Sequence, residues 1–437
     1  MRAMLPVSAS HFKVTGGIGT GIQGIVNTLN ALGYEVDILL DRPVMNTDNS
    51  LEFSQHLNVN IIELSSGYSY TKHKNIFAFR DTVNWDLVSN FRDVIFYALQ
   101  HNTYDLCIVQ TSDAIFAAYS LELYRHMPLV LYTHDHNSVF SKKTADPVFN
   151  SSYSPLLQVA QNLPGVSTAT HTELNAVAMG GAGIDAKVLP LSISEPKLLE
   201  EYTGERTGIL YIGRWEDRKQ PKRFIKLIKD TGLPARVMTS KKSAYKFELA
   251  LKEISDDYVV KHSIWGDEKV DFIKQCRVFY MPSKEESFGL AAYEALTQMS
   301  AVAHKKYDWV INFRDYDSFY AVDDKNITET VTSAYCDHND SRKQIVKNEE
   351  EILKYWEAIN YTPEQSANNR ATVLSHDDFY LKDYFKSLNR KIGIEDIHTV
   401  LANRHRYTVT HTKTNTFFSK TGKAADEKKS QFDELFS

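Results

Sequence analysis

The stretch Pro282-Ser-Lys-Glu-Glu-Ser-Phe-Gly-Leu-Ala-Ala-Tyr-Glu-Ala-Leu296 decides the fold, because it reads as a strand-to-helix turn with a carboxylate on each side. The run at 277–282 predicts a short buried strand, 283–289 a loop and 290–296 a helix. The first backbone N–H groups of a helix have no partner inside it and attract phosphate. Glu286 and Glu294 could hold hydroxyl groups beside that phosphate. The stretch therefore predicts a site for a nucleotide diphosphate sugar.

A second motif, Ile209-Leu-Tyr-Ile-Gly-Arg-Trp-Glu-Asp-Arg-Lys219, comes earlier in the chain. It predicts a strand that ends at Gly213 and delivers Arg214 and Lys219 into a loop. Arginine offers a planar fork for phosphate oxygens and lysine a point charge, so the two cations could neutralise a diphosphate leaving group. Either motif alone is more often surface or a helix cap. Both in this order, each after a strand and before a helix, favour a functional site.

The two motifs resemble the retaining nucleotide-sugar glycosyltransferases of the GT-B fold, in particular glycosyltransferase family four. In that family Gly-Arg is followed by four residues and Lys, and a Glu by seven residues and a second Glu, as here. The resemblance implies a catalytic role for Glu286. It implies donor binding by Arg214, Lys219, Ser287, Phe288, Gly289, Leu290 and Glu294. It also implies that no metal is needed, because the two cations and the helix N-terminus replace a divalent ion.

Length and periodicity predict two domains. The chain has 437 residues and a 43% hydrophobic content, which can fill two cores. Strand patterns (3–9, 35–40, 59–64, 105–110, 129–132) alternate with helical ones (24–32, 88–100), and a similar series begins at Gly208, which predicts α/β architecture with parallel sheets. We expect a Rossmann-like acceptor-side domain at 1–195, a Rossmann-like nucleotide-sugar domain at 196–376, a crossover helix at 377–395 and a basic, aromatic tail at 396–437. The hinge is expected within 189–208.

Composition narrows the class of protein. The first ten residues lack the apolar length of a signal peptide, and no later run approaches the ~20 apolar residues that span a bilayer, so we expect a cytoplasmic protein without a membrane partner. Cys107, Cys276 and Cys336 are widely spaced, which predicts buried thiols and neither a zinc site nor disulfides. A net charge of -5 disfavours nucleic-acid binding through the overall field, so local patches would have to supply it.

A glycine-rich segment after the first predicted strand offers an alternative. Gly19, Gly21 and Gly24 spell the dinucleotide fingerprint and Asp41 ends the next strand, which is typical of a nicotinamide-dependent oxidoreductase. The fingerprint should follow its strand at once, whereas 11–15 intervene. In the GT-B resemblance the same segment binds the donor diphosphate through backbone N–H groups. The candidates there are Gly17, Gly19 and Thr20.

The sequence Val130-Leu-Tyr-Thr-His-Asp-His-Asn-Ser138 brings three titratable side chains, His134, Asp135 and His136, to the end of a predicted parallel strand. Such strand ends form the ligand-binding edge of α/β sheets, so we expect catalytic residues here. The resemblance implies a histidine near the donor sugar, and Asp135 or His136 could take the acceptor proton. No single carboxylate stands out as a covalent nucleophile. The resemblance implies front-face retention, in which the departing phosphate, held by Arg214 and Lys219, helps to deprotonate the acceptor.

The acceptor prediction rests on the string at 132–138, which resembles a segment of phage α-glucosyltransferases that modify 5-hydroxymethylcytosine in DNA. This resemblance implies a UDP-sugar donor, glucose or arabinose, and double-stranded DNA as partner. The basic residues expected on the acceptor side are Lys72, Lys74, Arg80, Lys142 and Lys143. The tail could add a phosphate-and-stacking surface. A polysaccharide, lipid or small-molecule acceptor is the alternative, because the other motifs are shared by enzymes with many acceptors.

Overall fold

The computed structural model describes residues 1–9, 17–41, 59–64, 85–121, 123–134, 161, 165–181, 183–357, 407–411 and 415–420. The chain divides into two compact units. The first comprises Met1–Phe12, Leu29–Val188 and Glu357–Ser437, and the second Lys13–Thr28 and Leu189–Trp356. The expected crossover helix at 377–395 lies outside the described residues. Among the described helices, none combines the length and the apolar content that crossing a membrane requires.

The first unit is built on a sheet in the order β14-β15-β3-β2-β1-β4-β5-β6-β7. Its strands are β1 (Arg2–Val7), β2 (Glu35–Leu40), β3 (Val59–Leu64), β4 (Leu106–Val109), β5 (Leu129–Thr133), β6 (Val166–Thr170), β7 (Ala186–Val188), β14 (Tyr407–His411) and β15 (Asn415–Lys420). Neighbouring strands are parallel except β14 and β15, which pair antiparallel. The strands β1 to β6 are rich in Val, Ile, Leu and Ala, as expected of a parallel sheet buried on both faces.

The helices in this half of the chain are α1 (Gly17–Ala31), α2 (Trp85–His101), α3 (Ser112–Ser120) and α4 (Glu173–Gly181). The helix α2 buries Phe91, Val94 and Ile95 in a core that also contains Cys107 and Val109 of β4. Burial of these apolar side chains removes them from water and holds α2 against the sheet. The helix α1 runs across the division between the units, because Thr28 is the last residue of its segment that groups with the second unit.

The second unit is built on a parallel sheet in the order β10-β9-β8-β11-β12-β13. Its strands are β8 (Ile209–Ile212), β9 (Ala235–Thr239), β10 (Tyr258–His262), β11 (Val278–Met281), β12 (Ser300–His304) and β13 (Phe319–Val322). Its helices are α5 (Pro221–Thr231), α6 (Lys241–Lys252), α7 (Gly266–Lys274), α8 (Leu290–Leu296), α9 (Ile327–Asp337) and α10 (Arg342–Glu357). One core joins α5, α6 and α9 to the sheet, and a second joins α7, α8 and α10 to it.

The predicted fold class, two α/β domains with parallel sheets, is confirmed by this architecture. The predicted helix at 290–296 coincides with α8, and the predicted helix at 24–32 begins earlier, at Gly17. In the described part of the tail, β14 and β15 extend the first sheet beside β3. The sequence had suggested a phosphate-and-stacking surface for the tail and did not predict these strands.

The prediction of three buried thiols is wrong for Cys336, which is exposed. Cys107 and Cys276 are buried. Burial raises the pKa of Cys107 far above its usual range and that of Cys276 to about 12. These two thiols are therefore protonated and unreactive at neutral pH.

Candidate functional site

The second sheet changes its direction of growth between β8 and β11. From β8 the chain continues to β9 and β10 on one side, whereas β11 is followed by β12 and β13 on the other. At such a switch point the loops after the two strands diverge and leave a crevice at their carboxyl ends, which is where open α/β sheets bind ligands. Those loops are 213–220 and 282–289, and they contain both sequence motifs.

The two loops are joined by charged side chains. Lys219 Nζ lies 2.5 Å from Glu286 Oε1, and these side chains are only 15% and 11% exposed. Lys284 donates its backbone N–H to the Arg218 carbonyl at 2.8 Å, and its Nζ lies 2.9 Å from Asp217. Because the heads of Lys219 and Glu286 are mostly enclosed, their attraction is screened less than that of an exposed pair.

Tyr211, in β8, supports the loop 213–220 through a hydrogen bond to its backbone. It is 1% exposed, and its hydroxyl donates to the Lys219 carbonyl at 3.1 Å. Burial raises the pKa of Tyr211 far above its usual range, so the hydroxyl keeps its proton. Arg214 is half exposed and its guanidinium lies 3.1 Å from Glu216. The loop therefore has a fixed backbone and an arginine head that a ligand can reach.

Gly289 ends the second loop and precedes α8. Its φ is 97°, and a Cβ there would lie 2.9 Å from Phe313. Only glycine fits such a left-handed position without strain. Asn312 donates to the Phe288 carbonyl at 3.1 Å and Trp309 to the Ser283 carbonyl at 3.0 Å, so the loop is also tied down from outside.

Glu294 has a different environment from Glu286. It is 3% exposed, and its Oε1 lies 2.6 Å from Lys269 Nζ, on α7. The Ser194 hydroxyl donates to the same oxygen. That Glu294 binds a ligand hydroxyl stays a prediction. In the structure its carboxylate has two protein partners, Lys269 and Ser194.

The chain enters the second unit at Leu189. The entering segment, residues 189–194, is held by hydrogen bonds from neighbouring helices. Glu349 accepts hydrogen bonds from the Ser192 hydroxyl, from the Ile193 backbone N–H at 3.1 Å and from the Tyr293 hydroxyl at 2.7 Å. Burial raises the pKa of Glu349. Asn27, on α1, donates to the Ile193 carbonyl at 2.9 Å. These bonds connect the entering segment to α1, α8 and α10.

The glycine-rich segment is helical where the structure describes it. Gly19, Gly21 and Gly24 all lie within α1, whereas a dinucleotide fingerprint needs its first glycines in the turn before a helix. Gly24 has another role, because a Cβ there would lie 2.3 Å from the Ser192 carbonyl oxygen. The fingerprint interpretation is therefore wrong. The donor candidates Gly17, Gly19 and Thr20 belong to the first turn of α1, where backbone N–H groups lack helical partners.

In the first unit, His134 follows β5 as expected. Its Nε2 lies 2.6 Å from Oε1 of Gln110, which follows the neighbouring strand β4. The His134 ring stacks on that of His171, with centroids 6.0 Å apart, and His171 follows β6. Three adjacent strand ends thus bring an amide and two imidazoles together. The amide oxygen of Gln110 can accept from Nε2–H, and this contact orients the His134 ring.

Several site predictions lie outside the described residues. These are Asp135, His136, Lys72, Lys74, Arg80, Lys142 and Lys143. Within the described ranges, no three His, Cys, Asp or Glu side chains are grouped as metal ligands.

Sequence reasoning missed Lys269, Ser194, Gln110 and His171. Lys269 carried a signal, because it stands on the apolar face of a predicted helix, and a lysine there needs a buried counter-charge. Gln110 ended a predicted strand next to the one before His134, so its position could also have been inferred. Ser194 had no comparable pattern around it.

A family model matches the part of the chain that contains both sequence motifs. Residues 200–351 match the family model described as glycosyl transferases group 1, and this span contains Arg214, Lys219, Glu286 and Glu294. No curated protein matches the chain.

Solved glycosyltransferase structures are similar over most of the chain. Sucrose-phosphate synthase from Thermosynechococcus elongatus superposes with a TM-score of 0.59 at 13% identity, covering 86% of this chain and 100% of the other. TarM from S. aureus, solved with UDP, superposes with a TM-score of 0.60 at 11% identity, covering 83% of this chain and 100% of the other. The pneumococcal O-GlcNAc transferase GtfA, solved with UDP and GlcNAc, superposes with a TM-score of 0.56 at 12% identity, covering 86% of this chain and 99% of the other. At these identities the likeness shows the shared GT-B fold.

Proposed function

We propose that this chain, whose residues 200–351 form a glycosyl transferases group 1 segment, is a retaining glycosyltransferase that takes its sugar from a uridine diphosphate sugar. The acceptor we propose is 5-hydroxymethylcytosine in phage DNA, modified in the host cytoplasm. The observation that carries the donor proposal is the Lys219–Glu286 pair at the switch point of the second sheet.

The pair has one group for each part of a sugar phosphate. Lys219 and Arg214 supply positive charge for the diphosphate, while Glu286 accepts hydrogen bonds from sugar hydroxyls. The backbone N–H groups of 287–290 complement the phosphate charge. An enclosed lysine and carboxylate in direct contact hold each other in place before the ligand arrives, so little rearrangement is needed when it binds.

Glu294 is proposed to accept from hydroxyls of the nucleoside. It stands in α8, about one and a half turns after Gly289. A diphosphate at the loop would have its transferred sugar toward Glu286 and its ribose toward Glu294. The UDP in TarM and GtfA makes uridine the proposed base.

The transfer step breaks the bond between the anomeric carbon and the diphosphate oxygen, and the bonding pair leaves with UDP. Arg214 and Lys219 stabilise the negative charge that develops on the leaving group. The acceptor oxygen attacks the same face, and its proton passes to the departing phosphate oxygen. The sugar therefore keeps its anomeric configuration. These cations serve where other transferases use a metal, so we propose that no metal is required.

The acceptor proposal rests on the first unit. The segment 132–138 resembles a segment of phage DNA α-glucosyltransferases. Its first histidine, His134, follows the parallel strand β5 at the ligand-binding edge. Gln110 orients His134 from the next strand. In this proposal Lys72, Lys74, Arg80, Lys142 and Lys143 contact the DNA backbone, and Asp135 or His136 assists the acceptor hydroxyl.

The test is a transfer assay with radiolabelled UDP-glucose and, separately, UDP-arabinose. The acceptors are a duplex containing 5-hydroxymethylcytosine and the same duplex with cytosine. We expect label only in the hydroxymethylated duplex, from one of the two donors. Label in neither duplex, with UDP binding intact, would contradict the DNA acceptor and direct the search to carbohydrate or lipid acceptors. No UDP binding would contradict the donor proposal itself.

A further inference from the structure

The buried contact between Glu294 and Lys269 has a geometry that goes beyond holding two helices together. Glu294 and Lys269 are each 3% exposed and Ser194 is fully buried. Lys269 Nζ lies 2.6 Å from Glu294 Oε1 and 3.1 Å from Ser194 Oγ, and the Ser194 hydroxyl donates to the same Oε1. The three groups form a closed triangle around one carboxylate oxygen.

The other carboxylate oxygen is not part of this triangle. Among the residues that the structure describes, Oε2 of Glu294 accepts no hydrogen bond. An ionised carboxylate has two acceptor oxygens with about two lone-pair sites each. Saturating Oε1 therefore fixes the orientation of the group and leaves Oε2 as the acceptor for a further donor.

Stability alone does not explain the pair. A buried ion pair contributes little compared with apolar residues of the same size, because both charges lose their hydration. The helices α7 and α8 already share a core through Val270, Ile273, Ala292 and Leu296. What Lys269 does supply is the opposite charge that faces a buried carboxylate, because a buried charge without a partner is costly.

We propose that Lys269 is a positioning residue for nucleotide binding: together with Ser194 it holds Oε1 of Glu294 and so turns Oε2 toward the vicinal hydroxyl pair of a nucleoside diphosphate. This inference rests on the proposed function, from which the nucleotide comes. Lys269 acts through Glu294 and touches no substrate atom. Ser194 adds orientation and links the carboxylate to the segment that enters the second unit.

The test compares the binding of UDP and of 2′,3′-dideoxyuridine diphosphate by calorimetry, in the full-length protein. The ratio of the two dissociation constants reports the hydroxyl contacts alone. We expect the wild-type protein to prefer UDP by roughly tenfold or more, since hydrogen bonds to a charged acceptor contribute about 1.5–3 kcal/mol. Lys269→Met should abolish most of this preference, as should Glu294→Gln. Lys269→Arg, which keeps the charge, should retain part of it.

Lys274→Met is the matched control, because Lys274 lies on the same helix, is 7% exposed and is paired with Glu200 instead. It should leave the ratio unchanged. The double variant Lys269→Met, Glu294→Gln should bind both nucleotides as Glu294→Gln does, since a residue that acts only through Glu294 has no further effect once Glu294 is altered.

Thermal unfolding checks that each variant is folded. Should Lys269→Met not fold, Lys269→Arg and Ser194→Ala carry the test, and each should reduce the preference for UDP partially. A wild-type ratio in the folded Lys269→Met protein, or in both partial variants, would overturn the positioning role while leaving the donor proposal standing. Failure of the wild-type protein to bind UDP would overturn the proposed function and this inference with it.

Discussion

Lys219 and Lys269 are each paired with a glutamate of the same motif, but the two pairs differ in how far they are exposed to solvent. The Lys219–Glu286 pair is 15% and 11% exposed, so solvent and a ligand can still reach it. The Lys269–Glu294 pair is 4% exposed on both sides and is closed off by Ser194. The first pair is suited to contact a reacting sugar phosphate, and the second to hold one acceptor oxygen in a fixed direction.

Replacing Lys219 tests the first pair. Lys219→Ala should lower kcat/KM for sugar transfer by roughly 10²–10³-fold, because a positioned charge at the leaving group is lost. Lys284→Ala is the control, since Lys284 pairs with Asp217 at the same loop junction but is 42% exposed. Its effect should be within about twofold, as expected for an exposed pair. Steady-state kinetics with UDP-sugar measures both, and normal turnover by Lys219→Ala would contradict the donor assignment.

The motif spacings predicted that Arg214, Lys219 and Glu286 all follow parallel strands that end at one sheet edge. They did not predict that Lys219 contacts Glu286, since side-chain conformation depends on packing that spacing does not encode. Lys269 could not be assigned a partner from sequence. Its contact with Glu294 depends on how α7 and α8 pack in three dimensions.

At the scale of elements, the loop before α8 is defined by Gly289 and the aromatic side chains around it. Its φ of 97° and the proximity of Phe313 leave no room for a side chain. The preceding residues, including Glu286, have their direction set by this turn.

Gly289→Ala should destabilise the protein by roughly 2–4 kcal/mol, from backbone strain plus the clash with Phe313. Gly232→Ala is the matched control. Gly232 also has a positive φ, of 67°, but a Cβ there would meet nothing within 4 Å, so we expect about 1 kcal/mol. Chemical denaturation of the two variants measures the difference. Equal losses would mean that the Phe313 contact is unimportant.

Glu349 makes α10 sensitive to pH. Burial raises its pKa in the folded protein, so between the unfolded and folded pKa values the folded protein keeps a proton that the unfolded chain has released. Its contribution to stability is therefore greatest below the unfolded pKa and is lost as pH rises through the folded pKa. The entering segment at Ser192 and Ile193 should loosen in the same direction.

Glu349→Gln should remove this dependence. The difference in unfolding free energy between wild type and variant should shift in favour of the variant as pH rises from about 4 to 8. Glu350→Gln, at the exposed neighbouring position, should follow the wild-type curve. Urea denaturation across this pH range provides the measurement, and parallel curves for wild type and Glu349→Gln would show that the burial of Glu349 does not affect folding.

Some elements were beyond sequence reasoning. The short run at 300–304, Ser-Ala-Val-Ala-His, is too short for its pattern to distinguish a strand from a helix, yet it forms β12, between β11 and β13 in the sheet. The strands β14 and β15 join the first sheet from more than 300 residues away in sequence, since Phe417 pairs with Glu63. Local patterns cannot predict such a pairing.

At the scale of the whole molecule, two parallel-sheet units each bring polar side chains to the carboxyl ends of their strands. The second unit carries the cations and carboxylates of the proposed diphosphate-sugar site, within the span 200–351 that matches the family model for glycosyl transferases group 1. The first carries Gln110 and His134 at neighbouring strand ends. The alternation of strands and helices predicted two α/β units with parallel sheets. It did not predict that 13–28 groups with the second unit, because this depends on the close approach of Gly24 to Ser192.

The measurement that tests the central claim most directly is proton NMR of the reaction with the active UDP-sugar and its acceptor, followed in time. It reports the release of UDP and the anomeric configuration of the first-formed product. We expect one UDP for each sugar transferred and a product with the anomeric configuration of the donor. An inverted product, or transfer without release of UDP, would contradict the proposed reaction at the Lys219–Glu286 site.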